Sequence, residues 1–195
     1  IQEQDPVLAY FFYDYFQLHA PKMQKVILQS RNAKYAFLFA LKNKNADLAS
    51  IQSLLFQSQS YHLIFRFVTE LQPQSHLQAF KFAYQKRQIK LFMQLLKRFP
   101  LKNLSPYTPW ILQQKNNYIC DLAIYTQNPK IIQQATRRLI QTQDYKHLCK
   151  LLKKQKLANV AEIEACILAS ESPTWIRKMA QASKDCSLRK FLLMG

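Results

Sequence analysis

The chain has 195 residues, 49% of them apolar, which is enough to bury the core of a domain. Its only glycine is Gly195, whereas phosphate-cradling loops and dinucleotide-binding motifs each need several, so Walker-type and Rossmann-type nucleotide enzymes are disfavoured. The 28 lysines and arginines against 11 acids give a formal charge of +17, which favours nucleic acid, an anionic membrane or an acidic protein as partner.

Apolar residues recur at helical spacing along almost the whole chain and predict an all-α fold. Asp5, Asn128 and Ser172 each precede a proline, the pattern of a helix N-cap followed by proline in the first turn, and Asp144 is a further candidate cap. The segment 100–117 holds two prolines and predicts the longest break. The predicted helices are 5–18, 21–30, 32–43, 46–57, 59–71, 75–86, 88–99, 117–127, 129–142, 144–155, 159–171 and 173–183.

Four stretches of the chain align with one another as a helix, a short polar turn and a second helix. They begin at residues 35, 80, 120 and 166, and read YAFLFALKNKNADLASIQSLL, FKFAYQKRQIKLFMQLL, CDLAIYTQNPKIIQQAT and CILASESPTWIRKMAQA. Ala40, Ala83, Ala123 and Ala169 recur in them at intervals of 43, 40 and 46 residues. We therefore predict an α-solenoid of stacked antiparallel helical hairpins, forming one domain over 1–195 that is a piece of a larger protein.

These hairpins resemble degenerate ankyrin repeats. Residues 80–84 stand where that family has its apolar first helix with a small residue, residues 89–96 where its second helix is aliphatic, and 120–135 matches in the same way. The T-P-L-H motif and the turn glycines are missing, and the alanine interval exceeds the family's usual length of about 33 residues. A HEAT-like solenoid, the helical modules of secreted bacterial effectors and a pentatricopeptide-like array share the pattern. The resemblance implies a binding module, and the pentatricopeptide alternative implies RNA.

Basic residues concentrate in the middle of the chain, where no acid occurs between Leu71 and Cys120. On the predicted helix 88–99, Ile89, Phe92, Leu96 and Phe99 form the core stripe, while Lys90, Gln94, Lys97 and Arg98 lie on the other side. Such a flank would bind phosphates, and the alternative interpretation is a solvated surface. The candidate polyanion-binding residues are Lys81, Lys86, Arg87, Lys90, Lys97, Arg98 and Lys102.

A second basic helix follows Asp144. Its lysines lie opposite Leu148, Leu151 and Leu152, so the helix is amphipathic and either packs on its neighbours or lies on an anionic surface. The secondary candidate residues are Lys146, Lys150, Lys153 and Lys154.

The aromatic segment YFFYDYF, residues 10–16, carries Asp14 as its only charge. Platforms that stack nucleic-acid bases interleave aromatic residues with cations. The segment therefore predicts a core or partner interface, or a cap on the end of the solenoid.

Catalytic signals are weak. The four cysteines, Cys120, Cys149, Cys166 and Cys186, have no zinc-site spacing and predict free thiols in a reducing compartment. His147 and Cys149 are two residues apart on a helix, so their side chains diverge and cannot form a base and nucleophile pair. We expect neither metal nor cofactor.

The sequence therefore predicts a non-catalytic helical-repeat module for protein interaction or scaffolding. Nucleic-acid binding through the basic surface is the alternative, and binding to anionic membrane lipids is a weaker one. With no apolar run of the roughly 18 residues that a spanning helix needs, we expect a soluble protein of the cytoplasm, or of a host cytoplasm if it is an effector.

Overall fold

The structure is a computed structural model that describes residues 5–16, 19–154 and 160–182. Within these ranges the chain forms thirteen α-helices and one 3-10 turn without any strand, so the predicted all-α class is confirmed. Contacts between α-carbons divide the chain into two compact units, residues 1–99 and 100–195.

The first unit contains seven helices, and the second contains six. Those of the first unit are α1 (Pro6–Phe16), α2 (Ala20–Gln29), α3 (Ala33–Lys42), α4 (Leu48–Ser58), α5 (Tyr61–Glu70), α6 (His76–Gln85) and α7 (Ile89–Arg98). Those of the second unit are α8 (Thr108–Leu112), α9 (Asn116–Tyr125), α10 (Pro129–Gln141), α11 (Tyr145–Lys154), α12 (Val160–Leu168) and α13 (Pro173–Ala182). All twelve predicted helices have a counterpart here, and the sequence missed the short α8 inside the predicted break.

The predicted N-caps of three helices are confirmed by their hydrogen bonds. The side-chain oxygens of Asp5, Asn128 and Asp144 each accept a hydrogen bond from a backbone amide two or three residues later, at 2.8, 3.0 and 3.1 Å. These bonds satisfy amides that have no carbonyl partner in the first turn. The helix predicted to follow Ser172 begins at Pro173.

Five pairs of helices are joined by tight turns that contain a residue with positive φ. An L-residue in this left-handed region costs about 1–2 kcal/mol, which is why glycine usually occupies it. In the turn after α4 the Gln59 amide donates to the Phe56 carbonyl at 3.3 Å, and the Ser58 hydroxyl donates to the Leu55 carbonyl at 2.8 Å. These bonds satisfy helix-end carbonyls and offset the cost. The five residues are Arg31, Gln59, Arg87, Gln143 and Glu171.

The positive-φ residues of these five turns are regularly spaced along the chain, and His19, the sixth described residue with positive φ, lies outside this spacing. The interval from Arg31 to Gln59 equals the interval from Gln59 to Arg87. Gln143 follows Arg87 at twice this interval, and Glu171 follows Gln143 at the single interval again. The core has the same period, including a residue in α8. The apolar side chains buried at this interval are Ile27, Leu55, Ala83, Ile111, Leu139 and Ile167.

The alanine interval of 40 to 46 residues was therefore the wrong period. Two of the four predicted hairpins, α6–α7 and α12–α13, are joined by tight turns, whereas α3–α4 and α9–α10 are joined by the connections between repeats. We call the even-numbered helices the first helices of the helical pairs, namely α2, α4, α6, α8, α10 and α12. The odd-numbered helices are the second helices. Ala40 and Ala123 lie in second helices and Ala83 lies in a first helix, while Ala169 follows α12. The alanines also differ in burial, because Ala40, Ala83 and Ala123 are buried whereas Ala169 is exposed.

Helices of the first unit pack mainly on their near neighbours in the sequence. Successive second helices contact one another: α1 contacts α3, α3 contacts α5 and α5 contacts α7. Among the first helices, α2 contacts α4, and the Phe56 ring of α4 is stacked on Phe82 of α6 at 4.9 Å between centroids. The core includes large buried side chains such as Phe39, Phe67 and Phe92.

The second unit repeats this arrangement. Its second helices also follow one another, α9 against α11 and α11 against α13, while α10 packs on α9 and α11. Cys120, Leu148, Leu151 and Met179 are fully buried at the centre of its core.

Replacing the turn residue Gln59 by glycine should stabilise the protein. Gln59→Gly removes the clash of a side chain at φ 54°, so we expect the free energy of unfolding to rise by up to about 1 kcal/mol, measured by denaturant titration. The control is Gln57→Gly, two residues earlier on the exposed side of α4, which should lower stability by about 0.5–1 kcal/mol. Equal losses in both variants would contradict the proposed role of the turn.

Candidate functional site

Helix α1 has two apolar faces. Ala9, Tyr10 and Tyr13 are buried, and the Tyr13 ring lies 4.7 Å from that of Phe39 in α3. The opposite face exposes Leu8 (51%), Phe11 (47%), Phe16 (59%) and Tyr15 (80%). The sequence predicted this aromatic segment to be part of the core or of a partner interface. One of its faces lies in the core, and the other is exposed to solvent.

The exposed face of α1 forms one wall of a groove with a volume of about 730 Å³. Helix α2 forms the other wall, with Met23 and Val26 as apolar lining and Lys22 and Lys25 as cations. Among the described residues, Asp5 is the only acid that lines the groove, and it is engaged as the N-cap of α1. The groove is therefore apolar along its length and positively charged on the α2 side.

The four acids in the described part of the first unit all have internal partners. Asp5 and Asp47 cap helices, and a hydrogen bond from Ser50 lowers the pKa of Asp47. Asp14 pairs with Lys42 at 3.1 Å. Glu70 pairs with Arg66 at 2.7 Å, and this hydrogen bond lowers the pKa of Glu70.

Basic residues outnumber these acids by thirteen to four over the same residues. The four carboxylates therefore cannot balance the charge of this unit one for one, and its surface is strongly cationic. The bidentate contact between Arg66 and Glu70 also holds the Arg66 guanidinium 4.7 Å from the centre of the Phe37 ring.

The cationic flank predicted on α7 is exposed. Lys90, Gln94, Lys97 and Arg98 face solvent. The core prediction for this helix was partly wrong, because Phe92 and Leu96 are buried whereas Ile89 and Phe99, at the helix ends, are half-buried. Leu91, Met93 and Leu95 are buried as well, since α7 packs against both α5 and α6.

The structure distributes the primary candidate residues over several places. Lys86 and Arg87 lie in the turn before α7, where the Arg87 guanidinium is 5.1 Å from the centre of the Tyr84 ring. Lys81 lies on α6 and lines a shallow groove between α4 and α6. Lys102 is exposed in the second unit, before α8. The cluster that shares one helix face is therefore Lys90, Lys97 and Arg98.

The secondary candidate helix, α11, has the predicted amphipathic pattern. Leu148, Leu151 and Leu152 are buried, and the four lysines, Lys146, Lys150, Lys153 and Lys154, are exposed. Lys150 Nζ lies 2.9 Å from Asp121 Oδ1, and this hydrogen bond raises the pKa of Lys150. Lys150 is therefore engaged within the second unit.

The cysteines of the described residues are not activated as nucleophiles. Burial raises the pKa of Cys120 to about 12 and also raises the pKa of Cys149, so both remain protonated thiols at neutral pH. The His147 ring hydrogen-bonds Asp144 Oδ2 at 2.8 Å, while the Cys120 thiol donates to the His147 backbone carbonyl at 3.6 Å. Cys186 lies outside the described residues.

Among the described residues, no three His, Cys, Asp or Glu side chains converge as a metal site, and no helix combines the length and hydropathy needed to cross a membrane. No family model matches the chain, and no curated protein or solved structure does. The function is therefore inferred from the side chains and their geometry.

The exposed glutamines at the ends of first helices are a repeat signal that sequence reasoning missed. Gln29, Gln57, Gln85, Gln113 and Gln141 are evenly spaced, at the interval of the positive-φ turns, and all face solvent. Searching for identical polar residues just before a turn would have found the repeat.

Replacing the cap residue Asp144 should cause a loss of stability that depends on pH. Burial acts to raise the pKa of Asp144, but hydrogen bonds from Asn116 and His147 outweigh it, and the pKa is lowered. A lowered pKa in the folded state stabilises the protein above the unfolded pKa, and this contribution is lost as pH falls through the folded pKa. Asp144→Ala should therefore cost about 1–2 kcal/mol at pH 7.

The cost should shrink in acid, measured by denaturant titration at a series of pH values. The control is Asp144→Asn, which keeps an N-cap acceptor but cannot titrate, so it should retain most of the stability at pH 7. A cost for Asp144→Ala that stays constant from pH 7 to below the folded pKa would contradict the role of the carboxylate.

Proposed function

We propose that the chain is a non-catalytic helical-repeat module that binds a partner protein, and that its hairpins stack as an α-solenoid within each unit. The regular period of the turns and the contacts between successive second helices support the stacking. The period is shorter than the roughly 33 residues of an ankyrin repeat and the roughly 40–47 of a HEAT repeat, so the solenoid would be a shortened, ankyrin-like one.

The exposed apolar face of α1 carries this proposal. Leu8, Phe11, Tyr15 and Phe16 make up half of the eight large apolar side chains that the described residues expose. Full burial of an exposed Leu or Phe gains about 1.5–3 kcal/mol. Leu8, Phe11 and Phe16 are 51%, 47% and 59% exposed, so covering the rest of each would gain roughly half as much, and their concentration on one helix favours a protein partner. The raised pKa values of Cys120 and Cys149 support a role without thiol catalysis.

Selection from a displayed peptide library tests this proposal. The immobilised full chain should enrich peptides that share a motif, and Phe11→Ser/Tyr15→Ser should lose them because it removes apolar surface from the groove wall. The matched control is Leu41→Ser/Leu77→Ser, which removes two exposed apolar side chains elsewhere in the unit and should retain the peptides. No enrichment, or enrichment that both variants keep, would overturn the proposal.

Nucleic-acid binding is a second candidate, favoured by the excess of cations over acids in the first unit. Lys90, Lys97 and Arg98 share one exposed face of α7, where successive phosphates would meet several positive charges. Such contacts release counterions and give affinity that falls steeply with salt but depends little on sequence.

Fluorescence anisotropy with labelled 20-nucleotide RNA and DNA of random sequence tests this candidate. The charge reversal Lys90→Glu/Lys97→Glu/Arg98→Glu should weaken binding at least tenfold and reduce the slope of log affinity against log salt. The matched variant Lys146→Glu/Lys153→Glu/Lys154→Glu changes the same charge on α11 and should have a smaller effect. Absent binding at low salt, or equal losses in both variants, would exclude a specific role for α7.

A further inference from the structure

We propose that the groove between α1 and α2 binds an amphipathic α-helix of a partner protein, whose apolar stripe is flanked by acidic side chains. This inference rests on the proposed function as a protein-binding module and adds the chemistry and secondary structure of the partner segment.

The spacing of the exposed apolar residues matches a helical partner. Leu8, Phe11, Phe12, Tyr15 and Phe16 follow one another at i, i+3, i+4, i+7 and i+8, so they form a stripe parallel to the axis of α1. At 1.5 Å per residue this stripe is about 12 Å long, which corresponds to two turns of helix. A helix whose own stripe has the same spacing can lie along it.

The packing of the other second helices in the first unit shows how a helix could occupy the groove. Helices α3 and α5 each pack against a first helix before them and a first helix after them: α3 against α2 and α4, and α5 against α4 and α6. Among the described residues, α1 packs against α2 and α3, which both follow it. A helix in the groove would take the position beside α1 that α2 takes beside α3.

The sequences of the two second helices support the comparison. Ala9 to Tyr13 read AYFFY, and Ala36 to Ala40 read AFLFA. Ala9 and Ala36, which begin the two segments, are both buried, and this places the segments in the same register. Phe12 then corresponds to Phe39, yet Phe39 is fully buried and Phe12 lines the open groove. A docked helix would cover Phe12 as the neighbouring helices cover Phe39.

The charges of the groove indicate which helix fits. Lys22 and Lys25 lie three residues apart on the exposed side of α2, and Asp5 is held as the N-cap of α1. Among the described residues, no other carboxylate lines the groove beside these lysines, so glutamates or aspartates beside the apolar stripe of the partner would complement them. A second copy of this chain, with a formal charge of +17, is a poor partner by the same rule.

The experiment uses the full chain and three fluorescein-labelled synthetic peptides, each long enough for about five turns of helix. The first has leucines on one helical face and glutamates on the other, the second has lysines in place of glutamates, and the third is a scrambled version of the first without an apolar face. Anisotropy titrations at 150 mM salt should give at least tenfold tighter binding of the first peptide than of either other peptide.

Two pairs of substitutions then locate the site. Phe11→Ser/Tyr15→Ser should weaken binding of the acidic peptide at least tenfold, and Lys22→Glu/Lys25→Glu should weaken it at least tenfold while improving binding of the lysine peptide. The matched control Lys34→Glu/Lys44→Glu makes the same charge change at exposed positions that do not line the groove, and should alter binding less than threefold. Circular dichroism confirms that each variant remains helical.

The outcomes separate this inference from the proposed function. The inference is overturned if the scrambled peptide binds equally well, or if Lys22→Glu/Lys25→Glu has no more effect than its control. If selected library peptides still require Phe11 and Tyr15 but are neither acidic nor helical, the inference fails and the proposed function stands. If neither the library nor the synthetic peptides bind, both fail.

Discussion

The tight turn with one residue at positive φ is the constraint on which the helical pairs depend. It reverses the chain within a few residues, so that the first and second helices of each pair lie side by side with their apolar faces together. The turn is built without glycine, and a serine or threonine hydroxyl caps the preceding helix in four cases, at Ser30, Ser58, Thr142 and Ser170. Because it recurs at a regular interval along the chain, it also sets the period of the core.

This packing of the helices gives different parts of the surface different chemical characters. Second helices bury most of their apolar residues between neighbours, so their remaining exposed positions are largely polar, as Lys90, Gln94 and Arg98 are on α7. Helix α1 differs because one of its apolar faces has no neighbour among the described residues. The described part of the first unit thus exposes two distinct features, a cationic helix face and an apolar groove, and its four carboxylates are engaged in caps and ion pairs.

Local signals predicted the helices well, and long-range signals were misread. Helical periodicity and caps such as Asp144 depend on neighbours within one or two turns, so the sequence contains them directly. The regular spacing was missed because the alanines chosen as markers do not occupy equivalent positions in the helices, whereas the informative residues, Gln29 and its counterparts, are exposed. Helix α8 was not predicted because Pro109 was interpreted as part of a break between helices, although proline is tolerated in the first turn of a helix.

The sequence by itself determined the all-α class, the N-caps, the cationic character and the exposed flank of α7, because all of these follow from residue types and from spacing along one helix. Only the tertiary structure decided which face of α1 is buried, that Lys81 lines a groove between α4 and α6, and that Lys150 is paired with Asp121. The physical reason is that exposure and charge pairing depend on which helices pack together, and the spacing of residues along one helix does not specify its neighbours.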